Sequence, residues 1–190
     1  MSKFWKSIND KDIALDAILT GYKGEVENMP VYEEVTKRLK HHGSILDFGC
    51  GAGRNIKYLQ DHYDTVYGYD YDNMLQFVSR ETLNSNVILT SDLNKIYLYK
   101  YDEILFSLVL QHITPNEIRS ILENLSLASR RFIIHSRTWV DFTFEPILPI
   151  LEEYFNIVEI EYIKDHNSPE NDHFIGVFTN KNSYKPLLVG

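Results

Sequence analysis

A chain of 190 residues and 22.3 kDa is long enough for one hydrophobic core and too short for two independent enzymatic cores. Its 44% hydrophobic and 24% charged residues are ordinary for a folded domain, and no run of about 18 apolar residues is present to cross a membrane. The formal charge of −8 works against a nucleic-acid backbone or an anionic membrane as partner. The basic clusters Lys37-Arg38-Lys40 and Arg130-Arg131 read as solvated surface. The single cysteine, Cys50, excludes an intramolecular disulfide and cannot by itself build a zinc site, so no metal is expected. The N-terminus lacks the apolar stretch of a secretory signal, and the expectation is a cytoplasmic protein.

In chain order, Asp12, Ile13, Ala14, Ala17 and Ile18 fit an amphipathic helix packed on a sheet edge. A second four-residue stripe, Val31, Val35 and Leu39, predicts another helix ahead of the first strand. Residues 1–42 are therefore read as an N-terminal helical extension and residues 43–190 as the core of one domain. Strand-like runs follow at 44–48, 65–69, 86–90, 103–106 and 132–135, each separated by a stretch able to form a helix. The clearest helix starts at Thr114-Pro115-Asn116-Glu117, where Thr114 can cap, Pro115 suits the first turn and Glu117 can reach back. Its stripe of Ile118, Ile121, Leu122 and Leu125 should pack on the sheet. A helical segment at 150–155 precedes two closely connected strand-like runs, 157–163 and 173–178, which suggest an antiparallel hairpin at the sheet edge. Strands alternating with helices predict an α/β, doubly wound, Rossmann-like and mostly parallel sheet.

Ligands of such sheets sit at the carboxyl ends of the strands, near the point where strand order reverses. The first strand ends in Asp47-Phe48-Gly49-Cys50-Gly51-Ala52-Gly53-Arg54-Asn55. A dinucleotide fingerprint, G-x-G-x-x-G, would need glycine where Arg54 stands. This leaves a nicotinamide-dependent oxidoreductase as a minor alternative.

The D-x-G-x-G-x-G loop resembles the first motif of the class I S-adenosylmethionine-dependent methyltransferases. Its Gly-Arg-Asn ending resembles the small-molecule branch that includes tellurite-resistance-type enzymes. The resemblance covers roughly 45–135 and implies S-adenosyl-L-methionine as co-substrate and a small molecule as methyl acceptor. It implies that Asp47, Gly49, Gly51 and Gly53 shape the donor site and that Asp70 accepts from both ribose hydroxyls. A carboxylate suits a vicinal diol because it only accepts. By the same resemblance Met74 touches the adenine face, Asp92 meets the adenine amino group with Leu93 beside it, and Ser107 belongs to the motif that ends the fourth strand.

His112, in the turn after that strand, is the candidate base or acceptor contact. Arg137, Trp139 and Asp141 lie in a loop able to receive the acceptor, and Arg137 would suit an anion. His135 reads as a satisfied buried histidine, His41-His42 as surface and Cys50 as a small residue in a tight loop. Trp5, Tyr22 and Tyr32 can belong to a cover that faces a sulfonium through cation–π attraction, or to the core. The alternative function is an inactive module that binds S-adenosylmethionine or S-adenosylhomocysteine as a sensor or partner subunit. Nothing in the sequence speaks to oligomeric state.

Overall fold

The structure is a computed structural model, and the residues described are 3–14, 31–137, 147–164 and 172–181. Seven strands form one sheet: β1 (Ser44–Phe48), β2 (Thr65–Tyr69), β3 (Val87–Thr90), β4 (Glu103–Ser107), β5 (Arg131–Arg137), β6 (Phe155–Ile163) and β7 (His173–Asn180). Their spatial order is β3-β2-β1-β4-β5-β7-β6. The first five run parallel, and β7 is antiparallel to both β5 and β6. The expected C-terminal hairpin is present, with its second strand inserted beside β5 and its first strand at the edge. β6 shifts register between Ile157 and Glu159.

Helices cover both faces. α1 (Lys3–Ser7), α2 (Glu33–Thr36), α3 (Arg54–Leu59) and α4 (Asp72–Leu75) precede β3, while α5 (Leu93–Leu98), α6 (Pro115–Ser126) and α7 (Leu148–Tyr154) follow it. Side chains of a strand alternate between faces. Ile45, Leu105 and Ile133 thus join Val35, Ile56, Leu59 and Leu75 in one buried cluster. Leu46, Ile104, Phe106, Phe132 and Ile134 join Ile96, Ile121, Leu122 and Leu151 in the other. Thr114 caps α6 through the reciprocal hydrogen bonds with Glu117 that the sequence predicts, and Ile118, Ile121, Leu122 and Leu125 are buried.

Several expectations change in detail. The stripe at Val31, Val35 and Leu39 supplies only one helical turn, after which residues 37–38 form a turn, although Val35 and Leu39 are buried as expected. Residues 11–14 are helical with Ala14 buried, but Ile13 faces solvent; Ala17 and Ile18 lie outside the described residues. α7 ends at Tyr154 and Phe155 already opens β6, with no intervening loop.

The basic clusters are solvated surface in part: Lys37, Lys40 and Arg130 are exposed as expected, whereas Arg38 and Arg131 are half-buried in ion pairs. Arg38 pairs with Glu34 at 2.9 Å and with Glu159 and Glu161 of the edge strand. Arg131 pairs with the buried Glu103, which also accepts from the Tyr63 hydroxyl and from the Lys40 N–H at 2.9 Å. These cations tie the segment before β1 to the sheet. No described helix is long and apolar enough to cross a membrane, and the described residues contain no group of three potential metal ligands.

Candidate functional site

Strand order reverses between β1 and β4, because the chain winds outward through β2 and β3 before returning to β4 on the other side of β1. A crevice opens at the carboxyl ends of strands flanking such a reversal. The loop after β1 turns there with Gly49, Gly51 and Gly53 all at positive φ (76°, 58° and 91°). At Gly49 a side chain is doubly excluded. Its φ disfavours L-residues, and a Cβ would lie 2.4 Å from Val109 Cγ2. The loop is tied to β2 by the N–H groups of Gly49 and Cys50, which both donate to the Tyr69 carbonyl at 2.7 and 3.0 Å.

Two carboxylates flank this loop. Asp70 follows β2 directly; its Oδ2 accepts from the Gly51 N–H and its Oδ1 from the Tyr71 N–H, each at 2.7 Å. Burial pushes its pKa up to about 6 against the opposing pull of those two donors. The second carboxylate, Asp47, is 0% exposed. Its Oδ1 accepts from Asn55 Nδ2 at 3.2 Å, while its buried Oδ2 has no hydrogen-bond partner among the described residues. Burial raises the Asp47 pKa to about 7, with Asp70 adding to the rise and Asn55 and Arg54 opposing it.

The other predicted donor-side residues are placed less uniformly. Asp92 caps α5 by accepting from the Asn94 N–H at 3.0 Å, and Leu93 packs against the core beside it. Met74 is enclosed with Ile8 and Ala14 of the N-terminal segment, against which Trp5, Tyr71 and Phe77 also pack. That segment is held down by Asn73, whose Nδ2 donates to the carbonyls of Trp5 and Ile8 at 2.7 Å. Cys50 is buried within the loop, as its size suggests.

Across the reversal, Ser107 ends β4 and is followed by Leu108 at φ 60°, a left-handed conformation unusual for leucine. The strain sits where the chain leaves the sheet for the Leu110–His112 turn, and the Leu108 N–H donates to the His135 carbonyl at 2.7 Å. His112 lies against Trp5, ring centroids 5.2 Å apart at 69°. Burial pushes its pKa down to about 4, so it is neutral at pH 7. The candidate base His112 and the candidate cover aromatic Trp5 thus come together.

Ser107 belongs to a polar chain that sequence reasoning did not assemble. Arg54 Nη2 donates to Ser107 Oγ at 3.3 Å, Ser107 Oγ meets His135 Nδ1 at 3.2 Å, and His135 Nε2 meets His173 Nδ1 at 3.2 Å. A directed set of protons satisfies all three contacts: the serine hydroxyl donates to Nδ1 of His135, whose Nε2–H donates to His173. His135 is 2% exposed, which matches the expectation of a satisfied buried histidine, and burial holds its pKa well below the usual range. Tyr32 lies over this chain, 4.4 Å from the His135 ring, 5.2 Å from that of His173 and 5.4 Å from the Arg54 guanidinium.

Strand register explains the grouping, since Ser107 is paired with His135 and Arg137 with His173. Alternation along β5 would have pointed to it, had the order β5-β7 been known. His41 and His42 are exposed at the other end of the sheet, as expected. Tyr22, Trp139 and Asp141 lie outside the described residues.

The fold is shared with solved methyltransferases. The chain is similar to the N-methyltransferase NodS from Bradyrhizobium japonicum WM9 in complex with S-adenosyl-L-homocysteine (17% identity, TM-score 0.70, 92% of this chain and 100% of that one covered). It is also similar to magnesium protoporphyrin IX methyltransferase from Synechocystis PCC 6803 with bound S-adenosylhomocysteine (16%, 0.68, 94% and 98%). A third similar structure is a TehB-like S-adenosylmethionine-dependent methyltransferase from Corynebacterium glutamicum (17%, 0.67, 90% and 100%). No curated protein matches the sequence significantly. A family profile described as a methyltransferase domain matches residues 23–131, which spans the glycine loop, both flanking carboxylates and the turn after β4. With that match extending over more than half of its length, the chain belongs to the methyltransferase domain family and carries the class I, Rossmann-like form of the fold.

Proposed function

We propose that the chain, as an S-adenosylmethionine-dependent methyltransferase, transfers the methyl group to a small-molecule acceptor, with the donor seated over the β1 and β2 ends. The observation that carries this reading is Asp70, pinned by the Gly51 and Tyr71 N–H groups with each carboxylate oxygen accepting only one of them. Each oxygen retains capacity for a further donor, which suits the two hydroxyls of a ribose. The orphaned Asp47 Oδ2 suits the ammonium of an amino-acid tail, and the Cβ-less surface at Gly49 lets backbone approach it closely. Met74, Asp92 and Leu93 are proposed at the adenine end.

The donor, when bound, supplies a methyl group made electrophilic by its sulfonium. The protein's residues bind, orient and exclude water. Fixing the acceptor in line with the carbon–sulfur bond is worth about 7–11 kcal/mol in favourable cases. The acceptor's lone pair forms the new bond to methyl, and the electron pair of the broken bond stays on sulfur. A neutral His112 in the turn after β4 is proposed to hold the acceptor or take its proton, and Trp5 against its ring limits the access of water.

Calorimetric titration with S-adenosylhomocysteine tests the reading. Wild-type protein should bind, and Asp70→Ala should weaken binding by about 1.5–3 kcal/mol, roughly ten- to a hundredfold. Equal affinity in the two proteins would remove Asp70 from the ribose, and no binding by wild type would remove the donor site.

A further inference from the structure

Leucine is an unfavourable residue for the backbone it holds at position 108. A φ of 60° brings Cβ close to the following carbonyl oxygen, a conformation that bulky side chains rarely adopt. In the loop after β1 the chain enters that region at Gly49, Gly51 and Gly53, where no side chain stands in the way. At 108 it enters the same region and keeps a branched apolar side chain. The backbone on either side fixes this geometry. Ser107 closes β4 in register with His135, and the Leu108 N–H donates to the His135 carbonyl at 2.7 Å. Val109 is buried with its side chain against Gly49 of the glycine loop, and Leu110 is buried in the core.

The core does not use the side chain that this backbone holds. Val109, Leu110 and Ile113 all join the larger buried cluster, whereas Leu108 is half-buried and belongs to none of the three apolar clusters among the described residues. Backbone strain of this kind persists where the surroundings impose it, and it gathers at functional sites. The place of Leu108 in the fold is the seam of the sheet. β1 and β4 are neighbours with Phe48 opposite Phe106, and two residues beyond that pair stand Cys50 of the glycine loop and Leu108. On one side lies the proposed donor seat over the β1 and β2 ends. On the other side the chain goes on to the Leu110–His112 turn and the proposed acceptor contact. The group that lies between donor and acceptor is the sulfonium methyl.

We infer that Leu108 packs against the methyl group on the donor sulfur and restricts the transferred group to methyl. This rests on the donor reading above, which supplies the sulfonium. A methyl fits beside the leucine, and a longer S-alkyl group collides with it. The leucine cannot retreat cheaply, because its backbone is tied to His135 on one side and to the glycine loop through Val109 on the other. One extra methylene against a shaped apolar wall is discriminated roughly 10–200-fold.

The test titrates S-adenosylmethionine, S-adenosylethionine and S-adenosylhomocysteine calorimetrically into the full-length protein, wild type and the variants Leu108→Ala and Leu108→Gly. Wild type should bind the methyl donor at least tenfold more tightly than its ethyl analogue. Each variant should reduce that preference to about threefold or less while S-adenosylhomocysteine, which carries no group there, binds within twofold of wild type. Thermal melting without ligand separates this role from packing. Glycine enters the left-handed region without penalty and Leu108 joins no buried cluster, so Leu108→Gly should melt no lower than wild type. A fall of more than about 5 °C would show that the leucine serves the core and would overturn the proposal. Equal binding of the methyl and ethyl donors by wild type, or an undiminished preference in both variants, would overturn it with the donor seat left standing. A wild type that binds none of the three ligands contradicts the donor reading itself, and this assignment falls with it.

Discussion

Asp47 is the residue whose chemistry is most tightly constrained. A carboxylate with no exposure, one amide partner and one orphaned oxygen is costly to ionise, and its pKa rises to about 7. The charged groups that act on it are Arg54, which favours its ionised form, and Asp70, which opposes it. In the free protein at pH 6 most Asp47 is therefore protonated. A donor ammonium placed against Oδ2 favours the carboxylate, so binding should expel a proton, and affinity should fall as pH drops below 7. Titrating S-adenosylhomocysteine at pH 6 in two buffers of different ionisation enthalpy should give different heats, and Asp47→Asn should narrow the gap. Identical heats in both buffers would show that Asp47 does not change its charge on binding. The sign for stability is opposite to that of an ion-paired aspartate. A folded pKa above the unfolded value makes this group's contribution fully present at low pH and lost as pH rises from about 4 toward 7.

Among the elements, α4 and the N-terminal segment form a unit that depends on Asn73. Its amide donates to two carbonyls of that segment, and Ile8 and Ala14 close over Met74 below it. Replacing Asn73 by alanine removes two bonds worth about 0.5–1.5 kcal/mol each. Amide exchange over residues 3–14 should accelerate about five- to a hundredfold in Asn73→Ala, as read by mass spectrometry. Unchanged exchange there would mean that apolar contacts alone hold the segment.

How much was legible in the sequence also divides by element. The bounds of β1 and β2 and the capped start of α6 were readable because short-range signals fix them: apolar runs closed by glycine, and a Thr-Pro-x-Glu cap. Arg54 was read as a break in a dinucleotide glycine pattern and as part of the Gly-Arg-Asn ending, and His173 only as the start of a strand. Their meeting with Ser107 and His135 depends on which strands lie side by side, and that is set by packing of the whole sheet. Within the basic clusters, Arg38 and Arg131 depart from the surface reading for the same reason, since Glu103, Glu159 and Glu161 reach them only in the folded chain.

For the molecule as a whole, the order β3-β2-β1-β4-β5-β7-β6 places an acidic half beside a basic and imidazole-rich half, with the glycine loop at the seam. The antiparallel β7 is what brings His173 to the ligand end, because its first residue lies where the parallel strands finish. Topology thus assembles a site from residues separated by more than a hundred positions along the chain, from Tyr32 to His173.

The central claim is the donor seat at this seam, and a crystal structure of the protein with S-adenosylhomocysteine tests it most directly. Both ribose hydroxyl oxygens should lie about 2.5–3.0 Å from the Asp70 carboxylate, with the amino-acid tail along Gly49 and its nitrogen at Asp47. A nucleoside bound elsewhere, or one whose ribose leaves Asp70 untouched, would contradict the account.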